Sequence, residues 1–373
     1  MAGIYIHIPF CEQRCIYCDF FSSTKHSYID RYIDALLCEA KLRPCNEEIH
    51  TIYMGGGTPS QLSVEQIERL VKGLKEIYDL TSVKEFTVEV NPDDVTIEYI
   101  AILKLLGVNR ISMGIQSFID DELKLINRRH DSQGAIDAVK SIKNAGIENI
   151  SIDLIYGIPG QTVESWETSV NKAILMGVQH ISAYNLSYET GTALWRMREN
   201  GKVHEVSDAQ CIEMYNMLTV KLKEAGFEHY EISNFGLPGY HSQHNSAYWD
   251  GTPYIGLGAS AHSYDGRCRG YNPSLLESYV NSIENGILPI EIEEIEWWEK
   301  YDETIMISLR TAKGVSLAEV KKEFGDIALN HLVKEAKKYL SRGELTEQNG
   351  YLVIPEEHYM ISDGIIRDLM WED

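Results

Sequence analysis

Cys11, Cys15 and Cys18 stand within eight residues of one another in the run IHIPFCEQRCIYCDFF, spaced Cys-x3-Cys-x2-Cys. Cysteine thiolates hold the irons of iron–sulfur clusters, and a cubane cluster normally takes one thiolate per iron. This run supplies three, and Phe20 stands where a fourth could follow. One iron would keep an open position for an outside ligand, and that open corner is where chemistry can occur. Zinc is the competing reading, but structural zinc takes four ligands in paired spacings. Cys38, Cys45, Cys211 and Cys268 are scattered, which leaves His7 and His26 to complete such a site. A disulfide framework fits less well still, with seven cysteines in 373 residues.

Other residues able to do chemistry fall at the ends of apolar runs. Gly55-Gly56-Gly57-Thr58-Pro59 follows the second of these runs, and glycines let a backbone approach a ligand closely. It lacks the Gly-Lys-Ser/Thr ending of a Walker loop. Glu89 in VEVNP, Gln116 in MGIQSF and Asp153 in IDLIYGIPG close the third, fourth and fifth runs. Polar groups at three equivalent places suit hydrogen bonds to ligand hydroxyls and amines better than they suit helix capping. Arg128, in INRRH, offers a planar fork for a ligand carboxylate.

The elements that must position them alternate. Strands are expected at Ile4–Ile8, Thr51–Met54, Glu85–Val90, Arg110–Ile115, Asn149–Tyr156, His180–Leu186 and His229–Ser233. Amphipathic helices are expected between them, at Tyr28–Cys38, Ser63–Tyr78, Thr96–Leu106, Ser132–Asn144, Val163–Met176 and Asp208–Ala225. Such alternation implies parallel strands joined by right-handed crossovers. About six units over residues 1–235 predict an α/β fold, a partial (β/α)6 barrel with ligands at the C-terminal strand ends. Gly107, Gly146, Gly177 and Gly226 each close a helical run, as a left-handed terminal residue should. Residues 236–296 break the rhythm. They are rich in Gly, Pro, Tyr and His and read as a connecting segment that carries a ligand surface. From 297 to 373, short helices precede a hairpin turning at Asn349-Gly350, so a smaller winged-helix-like domain is expected.

The net charge is −22, and residues 297–373 hold ten basic and fifteen acidic residues. Both balances disfavour nucleic acid as a partner. No run of about 18 apolar residues exists to cross a membrane. Only ten residues precede Cys11, too few for a cleavable signal, so a cytoplasmic protein is expected.

Taken together, Cys-x3-Cys-x-Tyr-Cys, GGGTPS, EVNP, GIQSF and DLIYGIPGQT resemble the radical S-adenosylmethionine (SAM) enzymes. The resemblance lies with the branch related to oxygen-independent coproporphyrinogen III oxidase. It extends through YEISNF at 230–235, HNSAYW at 244–249 and GLGASAH at 256–262. It implies that Cys11, Cys15 and Cys18 hold a [4Fe-4S] cluster and that SAM completes the fourth iron. It also implies SAM contacts from Tyr5, Tyr17, Gly56, Gly57, Thr58, Glu89, Gln116, Arg128 and Asp153.

Two branches then separate. The decarboxylating oxidase carries a further cysteine two places after the third, and a longer N-terminal extension; this chain has Phe20 and a short lead-in. The heme chaperone branch shows Cys-x3-Cys-x2-Cys-x-Phe and His-Asn-x-x-Tyr-Trp, as this sequence does. The resemblance therefore implies heme binding through His244, Asn245, Tyr248 and Trp249, with His241 as a rival iron ligand. The expected partners are heme and heme-acceptor proteins such as membrane-bound respiratory enzymes, which would draw the chain to the membrane periphery. A homodimer is left open. The alternative is the oxidase itself, removing propionate carboxyl groups by radical SAM chemistry.

Overall fold

The computed structural model describes residues 2–371. Strands β1 (Ala2–Ile8), β2 (Ile49–Gly56), β3 (Glu85–Val90), β4 (Arg110–Gln116), β5 (Asn149–Tyr156) and β6 (His180–Asn185) pair in parallel in chain order. Their outward residues are apolar and buried under the crossover helices: Ile4, Ile6 and Ile8 in β1, Phe86 and Val88 in β3, Ile150 and Ile152 in β5. Each such side chain contributes about 1.5–3 kcal/mol.

The inward residues are of the other kind. Tyr5 and His7, Tyr53, Thr87 and Glu89, Arg110 and Ser112, Ser151 and Asp153, and His180 and Ser182 alternate with the apolar set. Closed parallel barrels fill their interior with branched apolar side chains. A polar interior of this kind makes a chamber instead. The sheet curves around it, bringing Asp153 of β5 within electrostatic reach of Tyr53 of β2, and Glu89 of β3 within reach of Tyr184 of β6.

Local signals set the helix ends. Ser63 caps Val64–Ile77 in a reciprocal box with Gln66, and Thr162 does the same with Ser165 for Val163–Leu175. Gly107, Gly146, Gly177 and Gly226 all take positive φ just past a helix, as expected.

Two segments differ from what the sequence pattern predicts. The seventh expected strand is not a parallel repeat. β7 (Glu228–Glu231) and β8 (Asn234–Gly236) form an antiparallel hairpin beside β6, because the two-residue link between them leaves no room for a crossover. Residues 236–296 are not a loose connector either. They form the helix Gln243–Trp249 and strands β9 (Tyr254–Leu257), β10 (His262–Tyr264), β11 (Cys268–Tyr271) and β12 (Glu291–Glu294). β9 runs parallel to β1 and the rest extend the edge, so one twelve-stranded sheet results, in the order 12-11-10-9-1-2-3-4-5-6-8-7.

GLGASAH is the lock that attaches this extension. The Gly258 and Ala259 amides donate to Glu39 Oε2 (2.8 Å) and Tyr32 Oη (2.9 Å) on the first long helix, Ile29–Leu42. Glu39 is fully buried and also accepts from Tyr279, Asn272 and Arg43. Gly258 has φ +105°, and a Cβ there would lie 2.3 Å from Tyr32 Oη. Gly258→Ala should therefore destabilise the protein by about 3 kcal/mol, summing backbone strain and overpacking. Denaturant unfolding checks this; a loss below about 1 kcal/mol would mean that the lock carries little.

The helices Trp297–Leu309 and Leu317–Arg342, the latter kinked at Gly325, pack with a three-stranded sheet. Its hairpin turns at Asn349-Gly350, both with positive φ.

Candidate functional site

The loop after β1 carries the three thiols to the C-terminal end of the strands. Its backbone is tied at both ends: Cys11 N donates to Ser23 O, and Ile16 N to Ile126 O. Ile16 and Tyr17 pack on a separate apolar cluster of Ile126, Ile155, Ile158, Leu186, Leu194 and Val203. Cys11, Cys15 and Cys18 are all half-buried and free. Among the described residues, no three His, Cys, Asp or Glu side chains close around a single metal ion. The two histidines offered for zinc are also engaged elsewhere. His7 meets Tyr5 Oη and Phe21 O with its two ring nitrogens, and His26 Nε2 meets Cys11 O.

Donors face the sulfurs. Thr58 Oγ1 lies 3.5 Å from Cys11 Sγ, and Arg128 Nη1 lies 3.4 Å from Cys15 Sγ. Burial raises the Cys11 thiol and pushes Cys18 up to about 11, so these sulfurs stay protonated until a cation takes them. Burial works against the Arg128 charge, but Tyr17 and Cys15 beside it hold the guanidinium above its ordinary value. Arg128 also donates to Gly114 O, and its buried Nε has no partner.

The glycine triplet faces the thiol loop more than it faces a ligand. Gly57 N and Thr58 N donate to Ile8 O (2.9 Å) and Phe10 O (2.8 Å). A Cβ on Gly57 would sit 2.8 Å from Ile8 O, and one on Gly56 would sit 2.5 Å from the His7 ring. Next to the triplet, Glu89 accepts from Tyr53 Oη (2.7 Å) and Gly56 N (3.2 Å). Burial, with the nearby Asp153, lifts Glu89 to about 7; burial lifts Asp153 to about 6 against a hydrogen bond from Ser182. Gln116 takes a left-handed backbone (φ 71°) at a register shift of β4, and its amide folds over Gly114. Tyr5 stacks on Tyr53 in the same chamber. All nine residues expected around SAM therefore lie at the thiol loop or the chamber wall above it.

The HNSAYW residues lie at the opposite end, on one short helix. The helix Gln243–Trp249 closes the chamber floor, where Glu85 accepts from the Gln243 and His244 amides (2.9 and 3.0 Å). His244 is 1% exposed, with Nδ1 2.8 Å from Thr51 Oγ1 and Nε2 3.0 Å from Tyr248 Oη. Burial lowers its pKa to about 3. Both His244 nitrogens are thus engaged with hydroxyls, inside the core. The Asn245 amide donates to Ser242 Oγ at the helix start. Trp249, and Tyr248 with the part of its ring that His244 does not cover, border the far side of the helix. There they line a cleft of about 1170 Å³ with His241, strands β9 to β11 and the C-terminal helices.

Several chamber residues escaped the sequence reading: Tyr53, Glu85, Arg110, His180 and Ser182. A signal was present. Parallel strands buried on both faces read as continuous apolar runs, and these alternate with polar residues instead.

A family profile described as the Radical SAM superfamily matches residues 5–173, and one described as the HemN C-terminal domain matches residues 296–358. The heme chaperone HemW of Bacillus subtilis is 37% identical over 331 residues, covering 87% of each chain. That of Mycobacterium tuberculosis is 32% identical, covering 99% of this chain and 94% of the relative. Among solved structures, the coproporphyrinogen III oxidase HemN of Escherichia coli superposes with a TM-score of 0.87 at 23% identity, over 99% of this chain and 90% of that one. At that identity the likeness establishes the fold.

Proposed function

Since this chain belongs to the HemW heme chaperone family within the radical SAM superfamily, we propose that it binds a [4Fe-4S] cluster, SAM and heme, and delivers heme to acceptor proteins. The observation that carries the cofactor half is Arg128, half-buried, with one nitrogen on Cys15 Sγ and its buried Nε without a partner. A carboxylate arriving beside Cys15 would satisfy that orphaned donor, and the amino-acid end of SAM carries one. Cys11, Cys15 and Cys18 would hold the cluster, and Thr58 and Arg128 would donate to its sulfurs. Glu89, at the glycine triplet, would accept from the SAM amino group, and Gln116 and Asp153 would complete the polar wall. When bound, the cluster supplies an open iron and a reducing electron. The heme half is supported by the relatives' shared function and by the aromatic cleft beside Trp249. The acceptors we expect are respiratory hemoproteins of the membrane, met from the cytoplasm; no described helix is long and apolar enough to cross a membrane.

Two outcomes test this reading. Heme-loaded protein mixed with a heme-free b-type cytochrome should yield the holocytochrome spectrum; retention of all heme would contradict a delivery role. The second outcome concerns pH. The folded-state pKa of Glu89 (about 7) and of Asp153 (about 6) lies above the ordinary carboxylate range. The folded chain thus binds more protons than the unfolded chain between about pH 4 and 7, and the stability these groups contribute falls as pH rises through that window. A SAM amino group that donates to Glu89 favours its ionised form, so SAM affinity should rise as pH climbs toward 7. Calorimetric titrations from pH 5.5 to 8 check this, and a flat profile would remove Glu89 from the site.

A further inference from the structure

Arg110 is 1% exposed, and among the fully buried side chains only Trp166 is larger. It stands in the lower chamber on β4, between Thr87 of β3 and Asn149 of β5. Its hydrogen bonding is sparse for so buried a charge. Nη1 reaches Thr87 Oγ1 at 3.5 Å, Nε is buried without a partner, and Nη2 makes no described bond. Nε and Nη2 together form an edge of the guanidinium that can receive a carboxylate through two parallel bonds.

No carboxylate of the chain takes that edge. Among the described residues, none lies within ion-pair distance of Arg110. Glu89 and Asp153 feel its charge, but from higher in the chamber. Asp153 is level with Gly114, four residues and roughly 13 Å along β4 from Arg110. Glu85, one layer lower, spends its two oxygens on the Gln243 and His244 amides. The imidazole nearby brings no negative charge either. His180 meets Ser151 Oγ and Tyr230 Oη (both 2.7 Å), and burial, reinforced by Arg110, holds its pKa well below the ordinary value.

A buried charge left without a partner is costly to a fold. Groups kept at such a cost mark places that meet a ligand. Space is present for one. Arg110 Nη2 and Ser112 Oγ, the next inward group on β4, make no described hydrogen bond, yet neither is sealed off by its neighbours. Tyr184 of β6 keeps 42% of its surface open although Asp153, Glu231 and Glu89 surround it, so the chamber is open at its upper end.

We propose that Arg110 binds a compact organic carboxylate, a ligand distinct from SAM, in the lower chamber. Nε and Nη2 take its two oxygens, and Ser112 donates to one of them. Arg128 at the mouth and Arg110 near the floor thus receive one carboxylate each. The tight enclosure of Arg110 limits this ligand to a few carbon atoms.

Thermal unfolding of the full-length, cluster-loaded protein tests this, with acetate, propionate and succinate as probes at constant ionic strength, each with and without SAM. With SAM present to occupy Arg128, propionate should raise the midpoint in a saturable way. Arg110→Met should weaken that response at least tenfold. Arg110→Lys, which keeps the charge and loses the fork, should weaken it several-fold, as should Ser112→Ala. Without any carboxylate, Arg110→Met should unfold about 2 °C or more above the wild type, because it removes an unpaired buried charge. Iron content should stay at the wild-type level throughout. No saturable response of the wild type to any of the three probes would overturn the site, as would a response unchanged in Arg110→Met. An Arg110→Met protein that unfolds below the wild type, or fails to fold, would make the guanidinium a structural part of the floor and overturn it too. A response that vanishes when SAM is added would belong to Arg128 and count the same way. Failure of the wild type to bind SAM would instead remove the cofactor reading, and the SAM-free comparison with Arg110→Met would still decide this site.

Discussion

Cys15→Ser is expected to strip the cluster from anaerobically reconstituted protein, cutting bound iron by tenfold or more, while Cys211→Ser leaves iron at the wild-type level. Cys15 is the thiol that Arg128 addresses, and a serine oxygen is neither as soft nor as readily ionised as a thiolate. Cys211 is a buried residue of the helix Asp208–Glu224, packed against Gly157 far along the chain, and its thiol faces no other cysteine. Iron content and visible absorption report both variants. Equal iron loss in the two would show that the cluster is not held by the N-terminal loop.

Gly57→Val should cost the cluster as well as SAM binding. A glycine that merely made room for a ligand would lose only the ligand on substitution. Gly57 is different, because its Cβ would strike backbone atoms of Ile8, Pro9 and Phe10, the residues that lead into Cys11. Backbone cannot rotate away as a side chain can, so the thiol loop must shift. We expect iron occupancy and SAM affinity both to fall by at least tenfold. Gly364→Ala, where an added Cβ meets nothing within 4 Å, should leave both unchanged. Full iron with lost SAM binding in Gly57→Val would return the triplet to a ligand-approach role.

The parts of the molecule that sequence revealed are those built by repetition. β3 and β5 run from Glu85 to Val90 and from Asn149 to Tyr156, the bounds their patterns predict, because a crossover helix must follow each. The thiol spacing needed no fold to be read. The 236–296 region hid its structure for a physical reason. β9 has only four residues, and its one glycine serves contact: a Cβ on Gly256 would lie 1.9 Å from His262 O. Gly-rich sequence signals looseness and close backbone packing alike, and only tertiary contacts tell them apart. The spacing in HNSAYW puts His244 and Tyr248 one helical turn apart, close enough to bond each other, a pairing that only the helix makes visible. The cleft was illegible because its two walls are some fifty or more residues apart in sequence, as Trp249 and Lys313 show.

The central claim is that this radical SAM fold binds and carries heme without decarboxylating a porphyrinogen. The most direct measurement incubates the anaerobically reconstituted protein, with SAM and a reductant, in two parallel reactions. One contains coproporphyrinogen III and the other hemin, and porphyrin products are analysed by chromatography after oxidation. The account predicts stoichiometric hemin binding and no vinyl-bearing product above a Cys15→Ser control. Vinyl-bearing product above that control would contradict it and identify the protein as the oxidase.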